Sequence, residues 1–194
     1  MESRREGTRE KGVLFNSIRS KTSKKLANRI IDIPFAAIYS SPSKRALDTA
    51  KILRGSHSIP IFEVEDFLEM NLGNWEGMKK VDIKEIYAED YEEFWNEPHL
   101  FNGSSGEQFE DVYKRVVDGL QNIIYKSSEG DNILIVTHAI AKKNLMRYIE
   151  GRTLDKLWDP PVIQNTGLSI IEYAHNKFRI IEYSDTKHLI SKLN

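Results

Sequence analysis

The stretch Asn132-Ile133-Leu134-Ile135-Val136-Thr137-His138 decides the fold of this chain. Its unbroken apolar and mostly β-branched run predicts a strand buried on both faces, as strands of parallel sheets are. The residues from Ala139 to Tyr148 follow directly and predict a helix. A buried strand followed at once by a helix is the repeating unit of an α/β domain. We therefore expect a parallel sheet with this strand near its centre.

The segments around this unit repeat the alternation of strand and helix. Short apolar runs predict strands, and apolar residues at helical spacing predict helices. The predicted strands are Phe35–Tyr39, Ile59–Val64, Leu168–Tyr173 and Phe178–Tyr183, and the predicted helical segments are Leu26–Ile31, Lys44–Leu53, Val81–Trp95 and Gly106–Lys126. This order predicts a doubly wound α/β fold with a mostly parallel sheet and helices on both faces.

Composition limits the classes of protein and partner. Hydrophobic residues make up 40% of the 194 residues, enough for one sizeable core, and the net charge is -1. A nearly neutral chain has no overall attraction to nucleic acid or to an anionic membrane. The chain has no cysteine for disulfides or thiolate metal sites, and no apolar run long enough to span a membrane. We expect a cytoplasmic protein whose partners are small metabolites.

Charge divides the chain into an N-terminal arm and one domain. Residues 1–25 hold eight Lys or Arg and three acidic residues, and we interpret them as a solvated, poorly packed arm. Contact with nucleic acid is the alternative, which the lack of an aromatic ladder makes the weaker interpretation. Residues 26–194 predict a single domain, in which about residues 78–105 form an inserted helical cap.

Two residues with functional side chains stand where a predicted strand gives way to a helix. Arg45 lies in the first helical turn after Ser40-Ser41-Pro42-Ser43, and His138 directly ends the buried strand. Ligands of open α/β sheets bind at this edge, where helix N-termini and a fixed guanidinium suit a phosphate. Taken singly, Arg45 is equally compatible with an exposed helix residue, and His138 with a hydrogen-bonded packing residue. No histidine spacing typical of a metal site occurs, so we expect no metal.

A third feature is the loop Leu68-Glu69-Met70-Asn71-Leu72-Gly73-Asn74-Trp75-Glu76-Gly77. Its two glycines around an aromatic residue predict a tight turn. Leu68 and Met70 flank Glu69 and can desolvate its carboxyl group, which favours the protonated form that a general acid needs. The alternative is that Glu69 and Glu76 are solvated loop carboxylates.

In order along the chain, five segments resemble successive motifs of the histidine phosphatase superfamily, also called phosphoglycerate-mutase-like. They are Ser40–Leu53, Leu68–Gly77, Gly106–Val116, Val136–His138 and Gln164–Tyr173. The order and spacing agree across residues 35–194. Within the superfamily, the chain is most similar to the broad-specificity phosphatase branch, on the segments Phe94–Phe101, Thr153–Pro161 and Asp185–Leu189.

The resemblance implies a role for each residue singled out above. Arg45 would bind the phosphate, Glu69 would be the proton donor, and His138 would be the second histidine that stabilises the transferring phosphoryl group. In the family, a histidine nitrogen attacks the phosphorus, the acid protonates the departing alkoxide, and water then hydrolyses the phosphohistidine. Arginines, histidines and backbone amides neutralise the phosphoryl charge, so the resemblance implies no metal or organic cofactor.

The N-terminal part of the chain departs from the family pattern. Family members begin with a buried strand ending in Arg-His-Gly, whose histidine is the nucleophile, whereas the first histidine of this chain is His57. Ala139 also stands where the family usually has glycine. One explanation is a coding sequence altered by a wrong start, frameshift or deletion, which we favour because the other catalytic residues are retained. The other is a genuine variant that has lost catalysis. Both predict a missing strand beside Ile133–Thr137.

The sequence therefore predicts a phosphatase by family that acts on small phosphorylated metabolites, with impaired activity in the chain as given. A noncatalytic phosphoester-binding or regulatory module is one alternative, and a phosphoglycerate-type phosphomutase is another. The motifs leave the identity of the phosphoester and the oligomeric state open.

Overall fold

The computed structural model of the chain describes residues 20–103 and 105–190. Its helices are α1 (20–29), α2 (Lys44–Arg54), α3 (Lys80–Ile86), α4 (Ala88–Asn96), α5 (Phe109–Lys126) and α6 (Ala139–Glu150). Its strands are β1 (Phe35–Ser40), β2 (Ile61–Glu63), β3 (Asn132–Val136), β4 (Leu168–Ala174) and β5 (Lys177–Asp185). The elements alternate as the sequence predicts, and the fold is confirmed as a mixed α/β fold with a parallel sheet.

The parallel sheet has the strand order β2-β1-β3. In its register, Ile38 of β1 lies beside Ile61 of β2 and Leu134 of β3. The sequence predicts β3 near the centre, and this prediction is wrong for the described residues, where β1 is the middle strand and β3 pairs with β1 alone. The apolar run of β3 reports burial of both faces, and burial of a face does not require a hydrogen-bonded neighbour on each edge.

Helices cover both faces of this sheet, as predicted. Alternate residues of a strand point to opposite faces. On one face, Leu134 and Val136 of β3 belong to a cluster of buried side chains. The cluster also contains Leu26 of α1, Ile30 directly after α1, and Ala46 and Ala50 of α2. On the other face, Ile133 and Ile135 pack against the core formed by α5, α6 and the cap.

The longest helix, α5, buries one stripe of side chains. The buried residues recur at helical spacing and are Phe109, Val112, Val116, Gly119, Leu120 and Ile123. The predicted start at Gly106 is three residues early. The backbone N–H of Gln108 donates to the Asp111 carboxylate at 2.9 Å, as part of a capping box, and this begins the helix at Phe109.

Residues 78–105, predicted as a helical cap, contain two short helices. α3 ends at Ile86 and α4 begins at Ala88, because Tyr87 between them has φ -124 and ψ 50, outside the helical region. Trp75, from the loop before the cap, packs against Tyr91, Phe94 and Phe101. These aromatic contacts join the cap to the end of the loop that carries Glu69.

The last two strands form an antiparallel hairpin, β4–β5. The two strands are predicted from the sequence, and between them His175 and Asn176 form a turn with positive φ values of 53° and 60°. Phe178 packs edge-to-face on Tyr148 of α6 with ring centroids 5.7 Å apart. The hairpin is thereby attached to the helix that follows β3.

The charge-based boundary of the N-terminal arm at residue 25 requires a correction. Residues 20–25 belong to α1, and the side chain of Ser23 is buried. Further along α1, Arg29 forms ion pairs with Glu182 and Asp185 of β5. The acidic partners of Arg29 lie on another element, and composition alone does not reveal them. The prediction for residues 1–19 lies outside the described residues.

Among residues 20–103 and 105–190, no helix is long and apolar enough to cross a membrane.

Candidate active site

Arg45 and His138 meet at the carboxyl edge of the parallel sheet. Arg45 is the second residue of α2, which follows β1, and His138 is the N-cap residue of α6, which follows β3. Because β1 and β3 are adjacent and parallel, the residues after them emerge at the same edge. The Arg45 Nε–H donates to His138 Nδ1 at 3.0 Å. The structure therefore brings together two residues that are 93 positions apart in the sequence.

This contact fixes the protonation pattern of the neutral His138 ring. An arginine Nε can only donate, so Nδ1 accepts and the ring proton lies on Nε2. Nε2 is 2.8 Å from Ser41 Oγ and 3.2 Å from Ser43 Oγ. Ser41 is buried in the turn between β1 and α2, where its Oγ also accepts from the Ser43 N–H at 3.3 Å. The imidazole thus has the Arg45 guanidinium as a donor at Nδ1 and the hydroxyl groups of Ser41 and Ser43 as partners at Nε2.

The sequence predicts Ser41 and Ser43 only as turn residues, and their contact with His138 is not among its predictions. The feature of the sequence that could have predicted this contact is the position of the two serines, since residues of a strand-to-helix turn lie at the edge where His138 also emerges. Which strand lies beside β1 decides that contact, and the local sequence does not specify strand order.

The Glu69 side chain lies at the first turn of α6, the turn that directly follows His138 in the sequence. Its Oε1 accepts hydrogen bonds from the backbone N–H groups of Ile140, Ala141 and Met70, each at 3.1 Å. A carboxylate at a helix N-terminus satisfies free amides and interacts favourably with the helix dipole. In this structure Glu69 caps α6 and belongs to the same corner of the molecule as His138.

The apolar flanks of Glu69 behave differently from each other. Met70 is 2% exposed, whereas Leu68 is 37% exposed. The sequence predicts that Leu68 and Met70 both shield the Glu69 carboxyl group from water, but in the structure only Met70 is buried. The main surroundings of the carboxylate are backbone amides.

Arg115 of α5 holds the loop that carries Glu69. Its NH1 donates to the carbonyl oxygens of Asp66 and Leu68 at 2.8 and 2.7 Å, and its NH2 donates to the Glu69 carbonyl oxygen at 3.2 Å. The Nε and NH2 groups also form a bidentate pair with the Glu107 carboxylate at 2.7 and 2.9 Å. We call this set of contacts the Arg115 brace.

Glu107 completes the Arg115 brace through the backbone of Asn71. The Asn71 N–H donates to Glu107 Oε2 at 2.8 Å, and the Glu107 N–H donates to the Asn71 carbonyl oxygen at 2.8 Å. The segment from Asp66 to Asn71 is therefore fixed on both sides of Glu69. Sequence reasoning finds the segment Gly106–Val116 as a motif but assigns no role to Arg115, because its acceptors are main-chain atoms of another segment.

The other four histidines lie away from Arg45. His57 follows the C-terminal end of α2, whose 11 residues span about 16 Å from the first turn that holds Arg45. His99 lies in the turn after α4, and His175 in the β4–β5 turn. His188 lies 3.4 Å from Arg29, and burial lowers its pKa, with the neighbouring Arg29 charge as the next cause. Of the five histidines in the chain, His138 is the one in contact with Arg45.

Within the described residues, no cluster of three or more His, Asp or Glu side chains is arranged to hold a metal ion. The groups that converge at the edge are instead a guanidinium, an imidazole, two hydroxyls and a carboxylate. This combination suits binding of an oxyanion and transfer of protons.

Comparison with known proteins agrees with the resemblance. The sequence model of the histidine phosphatase superfamily (branch 1) matches residues 16–186. Phosphoserine phosphatase 1 of Hydrogenobacter thermophilus is 27% identical over 169 residues, which cover 87% of this chain and 79% of that relative. A 2,3-bisphosphoglycerate-dependent phosphoglycerate mutase of Cytophaga hutchinsonii is 30% identical over 119 residues, which cover 60% of this chain and 56% of that relative.

The solved structure of YhfR from Bacillus stearothermophilus is similar to this chain with a TM-score of 0.85 and 37% identity, covering 88% of this chain and 84% of that one. The chain belongs to the histidine phosphatase superfamily, whose members similar to it include phosphatases and phosphomutases. By family, it is a phosphatase.

Proposed function

We propose that the edge formed by Arg45 and His138 binds the phosphoryl group of a small phosphomonoester, and that turnover through a phosphohistidine is impaired in the chain as given. The observation that carries the proposal is the 3.0 Å contact between the Arg45 guanidinium and the His138 imidazole. An arginine offers planar donors that match two phosphoryl oxygens, and its charge persists at any physiological pH.

A ligand can replace contacts that the free site makes within itself. The Arg45 side chain is exposed, so its guanidinium can turn toward a bound oxyanion. The Nε2–H of His138, which faces the Ser41 and Ser43 hydroxyls, can donate to the same anion. Both donors stabilise the negative charge of a phosphoryl group in transfer.

Glu69 is the proposed proton donor and base. In the free protein its Oε1 accepts three N–H groups, which is the role of an oxygen without a proton. Oε2 also accepts from the Ile140 N–H, at 3.3 Å, so both oxygens face α6 and protonation of a leaving alkoxide requires Glu69 to exchange these contacts for contacts with the substrate. The Arg115 brace holds the backbone on both sides of Glu69, so this exchange involves only its side chain.

The impairment follows from the positions of the histidines. His138 is the histidine at Arg45, and it contacts Arg45 and two serines, as expected of a group that stabilises a phosphoryl group. A phosphohistidine mechanism needs a second imidazole in line with the leaving group. His57, His99, His175 and His188 lie elsewhere in the fold.

Calorimetry with inorganic phosphate tests binding. Arg45→Ala should weaken binding at least tenfold, because the bidentate donor is removed. The matched control is Lys51→Ala, an exposed cation in the last turn of the same helix, which should bind like the wild type. Equal affinity of the wild type and Arg45→Ala would contradict the proposed site.

Turnover of an aryl phosphate, with trapping of any phosphoenzyme, tests the impairment. We expect hydrolysis close to background and no phosphohistidine. Rapid hydrolysis that disappears in His138→Ala would show that the chain is a competent phosphatase.

A noncatalytic phosphoester-binding module is the second candidate function, and the presence of only His138 at Arg45 favours it. It predicts the same binding results, together with complete absence of turnover on every phosphomonoester tested. Slow turnover that depends on both His138 and Glu69 would favour the impaired phosphatase instead.

A further inference from the structure

Lys142 is a cation of α6 that the proposed chemistry does not yet use. It lies four residues after His138, and its backbone N–H donates to the His138 carbonyl oxygen at 2.9 Å. Its side chain is partly buried, and its Nζ donates to the carbonyl oxygen of Gly167, directly before β4, at 2.7 Å. The ammonium therefore lies between the first turns of α6 and the start of the hairpin.

The charge of Lys142 has no acidic partner among the described residues. Burial lowers its pKa to about 8, and no neighbouring charge contributes to that shift. At the start of α6, the Oε1 atom of Glu69 is held by the Ile140 and Ala141 N–H groups. Beyond Gly167, Asp185 is paired with Arg29 and Lys187, and His188 contacts Arg29 and Thr166.

The adjacent lysine is placed differently. Lys143 is 5% exposed, and its Nζ donates to the Asp159 carbonyl oxygen on the side of Tyr183. Burial lowers the pKa of Lys143 too, and the Arg152 charge lowers it further, whereas the Glu150 and Asp159 charges act in the opposite direction. Within the part of the chain that the structure describes, Lys142 is thus the lysine of α6 whose partly buried charge no nearby carboxylate compensates.

A desolvated ammonium with one neutral acceptor is unfavourable, and a bound anion would offset that cost. Helix positions four residues apart are neighbours, with Cβ atoms about 5–6 Å apart. Helix side chains also lean toward the N-terminus of their helix. Both tendencies favour a Lys142 side chain on the face of α6 that His138 begins, where its Nζ contacts the Gly167 carbonyl oxygen.

We propose that Lys142 is a second cationic ligand of this edge, and that its ammonium binds an oxygen of the tetrahedral oxyanion held by Arg45 and His138. The inference rests on the proposed function, because it assumes that Arg45 and His138 bind an oxyanion. It adds a ligand whose charge is lost at moderately alkaline pH.

Sulfate is the appropriate probe, because it does not titrate between pH 7 and pH 10, whereas phosphate does. Calorimetric titration of the full chain with sulfate should show affinity falling about tenfold between pH 7 and pH 9, as Lys142 loses its proton. Lys142→Met should bind about tenfold more weakly at pH 7 and show no such decline. Lys142→Arg should bind at pH 7 like the wild type and keep that affinity at pH 9.

Two controls separate the possible failures. Lys51→Met, on the exposed last turn of α2, should retain the wild-type affinity and pH profile. Circular dichroism should show that Lys142→Met is folded. The Lys142→Arg variant keeps the positive charge and so separates loss of charge from loss of the lysine side chain. If Arg45→Ala abolishes sulfate binding while Lys142→Met leaves affinity and pH profile unchanged, the role of Lys142 is overturned and the proposed function stands. If the wild type binds phosphate but not sulfate, the role of Lys142 is overturned and the proposed function stands, and if it binds neither anion, both proposals are overturned.

Discussion

Two arginines close to the candidate site are used in opposite ways. Arg115 donates from all three of its nitrogens to the Glu107 carboxylate and to main-chain carbonyl oxygens around Glu69. Arg45 is exposed and, among the described residues, donates to His138. A guanidinium whose donors are taken by the protein fixes a loop, whereas one that faces solvent retains donors for a ligand. The Arg115 brace therefore fixes the loop, and the Arg45 edge is the proposed binding surface.

Lys142 stands between these two extremes. It is partly buried like Arg115, but among residues 20–103 and 105–190 its Nζ contacts a single neutral acceptor, the Gly167 carbonyl oxygen. The contrast predicts that loss of the three cations will affect stability in the order Arg115, Lys142 and Arg45, with opposite signs for the first two.

Arg115→Ala should give the largest effect, a loss of about 3 kcal/mol in the free energy of unfolding. The substitution removes the cation that pairs with the partly buried Glu107 carboxylate and the donor to three carbonyl oxygens. Urea unfolding followed by circular dichroism measures it. The control is Arg179→Ala, which removes an exposed pair with Glu172 and should cost less than about 1 kcal/mol. If both substitutions lowered the free energy of unfolding equally, the Arg115 brace would be no more stabilising than the exposed Arg179–Glu172 pair.

Lys142→Met should stabilise the free protein by about 2 kcal/mol at pH 7. The pKa of Lys142 is about 8 in the folded state, below its ordinary value of 10.5, so the unfolded chain binds more protons between these pH values. Wild-type stability should therefore rise as pH increases through that window, and the advantage of Lys142→Met should shrink. Urea unfolding at pH 7, 8.5 and 10 measures both trends. If the free energy of unfolding changed with pH in the same way in the wild type and in Lys142→Met, the lowered pKa of Lys142 would be contradicted.

Glu69→Ala should cost about 1 kcal/mol, because it removes the acceptor for the Ile140 and Ala141 N–H groups at the start of α6. Thermal unfolding measures this loss, with Glu129→Ala in the exposed loop before β3 as the matched control. A change no larger than that of the control would show that Glu69 does not cap α6 in solution.

Arg45→Ala should have the smallest effect on stability, within about 0.5 kcal/mol, since its side chain is exposed. The same variant should show the tenfold loss of anion affinity described above. Unfolding and calorimetry on one preparation give both values. A destabilisation comparable to that of Arg115→Ala would place Arg45 in the structural framework.

Much of the fold could be predicted from local sequence patterns. The apolar runs of β1 and β3 and the helical stripe of α5 correspond to elements of the structure with small shifts at their ends. Strand order could not be predicted in this way. The apolar run of β3 suggests a central strand, but the described sheet has β1 in the middle. Hydrogen-bonded neighbours depend on contacts distant in the sequence, which no local pattern records.

The candidate site divides in the same manner. Arg45 and His138 could be located because each follows a strand, and parallel strands bring their ends to one edge. The two serines on Nε2 of His138, the Arg115 brace and the position of Lys142 could not be found, because their partners lie on other segments and are often main-chain atoms.

The sequence by itself determined the alternation of strands and helices, the family resemblance, and the edge at which Arg45 and His138 emerge. These follow from periodicity and from local order along the chain. The tertiary structure decided that Glu69 caps α6, that Arg115 is saturated while Arg45 is not, and that the ammonium of Lys142 is buried without a carboxylate. The physical reason is that hydrogen-bond satisfaction and desolvation depend on every group nearby in space, whereas a sequence pattern records only neighbours along the chain.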